Sequence, residues 1–169
     1  LVAARAPVRA RDNIGYTCLA EAAHKGHVKV MKVLIAAKAP LNAETQQGQT
    51  PLMLATDEGH IDAVRELIDA GADLDAYEAE RFTALAIAAS MGHAELVRML
   101  IDAKASLDDQ NRAGETALIC AAASGYADVV RMLLDAGADP AIMSKMKQTA
   151  LDVALQGAHE EVIHVLQSR

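Results

Sequence analysis

Threonine returns every 33 residues in this chain, at Thr17, Thr50, Thr83, Thr116 and Thr149. Two residues after each comes a leucine: Leu19, Leu52, Leu85, Leu118 and Leu151. Ala22, Ala55, Ala88, Ala121 and Ala154 keep the same step, as do Leu34, Leu67, Leu100, Leu133 and Leu166. Gly26, Gly59, Gly92 and Gly125 share it until Ala158 ends the series. No insertion breaks the register. A unit of this length is one supersecondary element that cannot bury its apolar side alone, so neighbouring units must stack to make a core.

One unit, from Gln49 to Ala76, reads as two short helices. Thr50 offers a hydroxyl to the free amides of a helix start, and Pro51 follows where a missing N–H costs nothing. Leu52, Ala55 and Thr56 then share a face. Gly59 suits the left-handed residue that closes the first helix. Val64, Leu67 and Ile68 form the apolar stripe of the second, and Gly71 ends it before the extended Asp73-Leu74-Asp75 segment.

With these residues in view, the sequence resembles the ankyrin repeats, whose 33-residue period and T-P-L-H-x-A signature Thr50-Pro51-Leu52 follows in part. Gly59-His60 and Ala70-Gly71-Ala72-Asp73 extend the match, and the resemblance covers the entire chain. It implies an all-α fold: an ankyrin-repeat solenoid of stacked helix-turn-helix units joined by short β-hairpin-like turns. The expected organisation is one continuous domain. Residues 1–11 are the remnant of a preceding repeat, 12–44, 45–77, 78–110 and 111–143 are complete repeats, and 144–169 form a C-terminal cap. Leu1-Val2-Ala3-Ala4-Arg5-Ala6-Pro7 parallels Leu34-Ile35-Ala36-Ala37-Lys38-Ala39-Pro40, so the chain is expected to start inside a unit. In the last unit Gln167 replaces the apolar Ile35, Ile68, Ile101 and Leu134, as a polar outer face requires.

There are departures from the family pattern. Cys18, Ala84, Ala117 and Ala150 replace the signature proline, and Ala20, Met53, Ala86, Ile119 and Asp152 replace the signature histidine. Arg81 and Lys147 stand where other turns have glycine. These changes are expected to weaken local turns and caps without altering the architecture.

Composition agrees with closely packed helices. The chain holds no Trp, one Phe and three Tyr, while Ala, Leu, Val and Ile supply the apolar fraction. The formal charge of −7 disfavours nucleic-acid phosphates, and dispersed Lys and Arg give no basic run for an anionic membrane. No apolar stretch approaches the ~18 residues that span a bilayer. Cys18 and Cys120 form neither a CxxC motif nor a disulfide framework, which fits reduced thiols in an intracellular protein.

Catalytic readings find little support. His27, His60, His93 and His159 share one repeat position, but packed helices lie roughly 8–10 Å apart and a zinc ligand must lie about 2 Å from its ion. Their expected role is to satisfy backbone groups near the inter-helix turn. Asp73/Asp75 and Asp108/Asp109 stand in helix exits, where aspartate favours turns. Cys18 and Cys120 are expected to be packed rather than reactive. No nucleophile stands beside a base and no phosphate loop is present. The chain is therefore expected to be no enzyme, with no cofactor and no metal.

The family resemblance implies a protein-binding module, its partners meeting the turn tips and the concave first-helix face. On those surfaces Tyr16 and Phe82 precede the repeat threonine, and Tyr77 stands near a unit boundary. Tyr126 takes the histidine position and is expected to be structural. Rings at turn tips, outside an Ala/Leu core, are expected to be exposed and to act as anchors. The candidate footprint is Tyr16, Tyr77, Phe82 and Met91 with Asp57, Glu58 and Glu80, and His24 facing the partner. Its mixed apolar and acidic character points to a protein or peptide carrying apolar and basic residues. Met143 and Met146 flank the last turn, where they extend the binding face or rest on the cap. Self-association, an engineered scaffold, and the targeting arm of a larger protein are the alternatives.

Overall fold

The computed structural model describes residues 8–168, so the first seven residues of the expected N-terminal remnant lie outside the described part. Ten short helices occur among the described residues, with no strand beyond an isolated antiparallel bridge between Arg11 and Thr17. The chain divides into two compact units, residues 1–79 and 80–169. The first holds α1 (Cys18–His24), α2 (Val28–Ala36), α3 (Pro51–Asp57) and α4 (Ile61–Asp69). The second holds α5 (Ala84–Met91), α6 (Ala94–Asp102), α7 (Ala117–Ser124), α8 (Ala127–Ala136), α9 (Ala150–Gln156) and α10 (Glu160–Gln167).

The 33-residue threonines cap every odd-numbered helix. Thr17, Thr50, Thr83, Thr116 and Thr149 each accept a hydrogen bond from the backbone N–H three residues on. Each such cap satisfies a donor that the helix start would otherwise leave orphaned. Two departures from the signature reinforce caps, contrary to the expected weakening. The Asp152 carboxylate accepts from the Thr149 N–H at 2.8 Å, and the Met53 sulfur accepts from the Thr50 N–H at 3.5 Å, so both starts become reciprocal boxes.

Within each unit, the odd helices α3, α5 and α7 are the most enclosed. Ala84 through Ala89 of α5 and Ala117 through Ala122 of α7 are all buried. Within the second unit, α5 packs on α6 and α7, and α7 on α8 and α9. In the first unit α1 packs on α2 and α3. A helix enclosed on several sides needs small side chains all round, which explains the alanine content. The even helices are one-sided: α4 buries Ala63, Val64 and Leu67 while Asp62, Arg65 and Asp69 face water.

Two histidines of the column stitch neighbouring helix pairs, whereas the buried Nε2 of His93 has no hydrogen-bond partner. His60 bonds the His24 carbonyl at 3.1 Å in the first unit, and His159 bonds the Ala123 carbonyl at 3.0 Å in the second. These rings lie so close that a Cβ on Gly26 would sit 2.9 Å from His60, and one on Gly125 2.7 Å from His159. Tyr126 fills the same role against Gly92, where a Cβ would come within 2.5 Å of its ring. The inter-helix glycine is therefore required twice, by its left-handed backbone and by the approaching ring.

Turns link successive repeats in each unit. The Gln46 N–H donates to the Ile14 carbonyl at 3.1 Å and the Ala79 N–H to Gln47 at 2.9 Å. In the second unit the Arg112 N–H donates to Glu80 at 2.9 Å and the Lys145 N–H to Ala113 at 2.8 Å. Of the suspected acid pairs, Asp108 joins successive repeats and Asp73 stabilises its own turn. The Asp108 carboxylate accepts the Asp139 N–H at 3.0 Å, and the Asp73 carboxylate accepts the Asp75 N–H at 3.1 Å.

Cys18 corrects one expectation. It is exposed, whereas Pro51, Ala84, Ala117 and Ala150 at the same repeat position are buried. Val30 shows the same contrast: it is 50% exposed, while Ala63, Leu96, Val129 and Val162 are at most 1% exposed. The outer face of α1 and α2 thus presents the apolar positions that other repeats bury.

Candidate partner-binding surfaces

The first unit brings together four of the expected footprint residues. Tyr16 leads into α1, and its ring meets the His24 ring edge-on with centroids 6.0 Å apart. His24 Nδ1 lies 3.7 Å from Glu58 Oε1, beyond hydrogen-bond reach. Asp57 and Glu58, at the end of α3, are exposed. The Tyr16 phenol is pushed above its ordinary value, chiefly by burial and then by the carboxylates of Glu21, Asp12, Glu58 and Asp57. A half-buried ring in an acidic surround is the arrangement that attracts a cation with an apolar stem.

Tyr77 belongs to this unit and is 53% exposed, the most open of the Tyr and Phe rings. The other tip rings are less open than expected. Tyr16 and Phe82 are half-buried, because the residue before the capping threonine is drawn toward the helix start. Tyr126, expected to be structural, packs on Gly92 of the preceding repeat, and its ring remains partly in solvent.

The second unit carries Glu80, Phe82 and Met91. Met91 is exposed at the end of α5. Glu80 is exposed and pairs with Arg112 at 3.3 Å. Beside that pair stand cations whose only mark in the sequence is the replacement of two turn glycines. Arg81, Arg112, Lys145 and Lys147 are all exposed on the turns of this unit, and Met143 and Met146 stand out beside them. The signal that could have found them was Arg81 and Lys147 standing at glycine positions.

The thiols differ. Burial, and secondarily the charge of Glu115, pushes Cys120 up to about 12, so it is inert at neutral pH. No group of His, Cys, Asp and Glu among the described residues is placed to hold a metal ion. No described helix is long and apolar enough to cross a membrane.

Helix pairs repeated at a fixed interval, each capped by threonine and joined by bonded turns, define an all-α repeat protein. The family model described as ankyrin repeats, three copies, matches residues 1–78 and 75–144, and the chain belongs to that family. No curated protein matches the chain. Ankyrin repeats are generally protein–protein interaction modules, and the family is typically non-catalytic.

Proposed function

We propose that this chain is a non-catalytic module that binds a protein or peptide through its first-helix faces and turn tips. The observation that carries this is Tyr77, a ring more than half exposed on a molecule whose core holds no Tyr or Phe ring among the described residues. In the first unit Tyr16, His24, Asp57, Glu58 and Tyr77 supply an acidic surface with aromatic anchors. In the second, Glu80, Phe82 and Met91 supply apolar contact and a further carboxylate. The fold orders these groups before binding, so their entropy is already spent and a few anchors suffice. The partner is a segment with apolar and basic residues, and neither nucleic acid nor a membrane surface is required.

The test is a fluorescein-labelled peptide of alternating Lys and Leu, titrated by anisotropy with the native chain and the Tyr77→Ala/Phe82→Ala variant. Helicity should be unchanged by circular dichroism, and binding should weaken about tenfold, the scale of one lost anchor. Equal affinity of the two proteins would refute the footprint.

A second reading, self-association, is favoured by Val30 and Cys18, which are exposed on α1 and α2 at positions that their counterparts bury, with the exposed Val33 beside them. Sedimentation across concentration tests it, with Val30→Lys/Val33→Glu as the control. A native chain that stays monomeric at the highest concentration excludes this reading.

A further inference from the structure

Two of the five turns place a cation where the others place glycine. Arg81 has φ +67° and Lys147 φ +59°, the left-handed region in which Gly15, Gly48 and Gly114 also lie. A side chain there carries a steric cost that glycine does not. Both cations also stand two residues before the capping threonines Thr83 and Thr149. The positive ends of α5 and α9 lie there, and a cation beside them is unfavourable. Lys38 and Lys104 show the contrast. They too are left-handed, but they follow α2 and α6, where a cation suits the negative helix end. The helix ends thus favour Lys38 and Lys104 and disfavour Arg81 and Lys147. Strain kept at exposed side chains points to a use for them.

The surroundings show what that use is. Arg81, Gln110, Asn111, Arg112, Gly114, Met143, Ser144 and Lys145 line an open depression of about 520 Å³ within the second unit. Its exposed charges are cationic, in a chain whose formal charge is −7. The Arg112–Glu80 contact, 3.3 Å with both side chains more than half in water, is a weak tether that an incoming carboxylate can replace. Met143 and Met146, the latter 80% exposed, add an adaptable apolar surface at the same turn.

We propose that the turns of the second unit form a docking site for an extended acidic segment of a partner protein. Its carboxylates meet Arg81, Arg112, Lys145 and Lys147, and an apolar side chain rests on Met143 and Met146. Arginine forks suit carboxylates, and spaced cations along consecutive turns suit an extended chain. This deepens the reading of the chain as a partner-binding module. It assigns Glu80 the role of competitor for Arg112, whereas the basic-partner footprint makes Glu80 a contact.

The probe is a fluorescein-labelled peptide of alternating Glu and Leu, titrated by anisotropy against the native chain. The Lys/Leu peptide and an oligothymidylate of equal length are run alongside. The Glu/Leu peptide should bind, and Arg112→Gln/Lys145→Gln should weaken it about tenfold, while Glu80→Gln should tighten it severalfold. Arg81→Gly should weaken binding while raising Tm by a few degrees, a combination that damaged folding cannot produce. The proposal is overturned if the Glu/Leu peptide fails to bind, if Glu80→Gln weakens it, or if oligothymidylate binds as tightly and with the same dependence on the cations. The basic-partner footprint fails separately, through the Lys/Leu peptide and its response to Tyr77→Ala/Phe82→Ala.

Discussion

At the scale of single residues, the repeat can be used as its own control, because five versions of each position stand in one molecule. Lys147 occupies with a side chain the left-handed turn position that Gly114 occupies without one. Lys147→Gly should therefore raise stability by about 1 kcal/mol, seen as a higher urea midpoint at unchanged slope. Gly92 is the reverse case. Its φ is +71°, and a Cβ would lie 2.5 Å from the Tyr126 ring, so Gly92→Ala should lower stability by about 2 kcal/mol or more. A midpoint unmoved by Gly92→Ala would mean that Tyr126 does not rest on this glycine. The cysteines give a chemical comparison. Cys18 is exposed and Cys120 is buried with its thiol raised to about 12. Iodoacetamide at neutral pH should label one thiol per chain, with Cys120 reacting only in denaturant. The sequence could not separate the two thiols. Both occupy first helices, Cys18 at the position of the buried Ala117 and Cys120 at that of the buried Ile87, so position alone gives both as packed, and the exposure of the α1–α2 face sets Cys18 apart.

At the scale of the helices, the caps were the most legible feature. Thr50-Pro51 announces a helix start without any coordinates, and the 33-residue step carries that reading to four more sites. What the step conceals is the individual chemistry at the third helical position. Asp152 departs from the family pattern, a departure that by sequence alone implies a weaker cap. The structure turns it into a carboxylate bonded by both the N–H and the hydroxyl of Thr149, each at 2.8 Å. Those bonds, the backbone one foremost, hold Asp152 below its ordinary value of 3.8. A carboxyl depressed on folding adds stability that is fully present above its unfolded value and fades as pH falls through the folded one. Asp152→Ala should thus be less stable than the native chain by a constant margin from pH 7 to 5. The margin should shrink below 3.8 as the native carboxyl takes up its proton. Urea midpoints at pH 7, 5 and 3 measure this, and a margin still constant at pH 3 would mean that the charge contributes nothing to the cap.

At the scale of the whole molecule, the period made the all-α repeat architecture legible because every scaffold residue recurs in register. The binding residues were less legible for the same reason: a partner is recognised by what differs between repeats, and a period says nothing about differences. Tyr77 could be placed at an exposed boundary from its position alone. The half-burial of Tyr16 and Phe82 could not, since it depends on how closely each turn folds onto its helix start. The same accounting by position explains where the molecule should open first. Val30 and Cys18 in the first helix pair are exposed, whereas their counterparts Leu96, Val129 and Val162, and Ala84, Ala117 and Ala150, are sealed. In a repeat protein each element draws its stability from its immediate neighbours, so unequal burial becomes unequal protection. Native-state hydrogen exchange should show the amides of α2 (Val28–Ala36) opening at least tenfold more readily than those of α8 (Ala127–Ala136). α7 should be slowest, since α5, α8 and α9 all pack against it. If α2 proves as protected as α8, something must cover Val30 and Val33 in solution. Repeating the exchange at high dilution, where a second copy would be lost, identifies that cover.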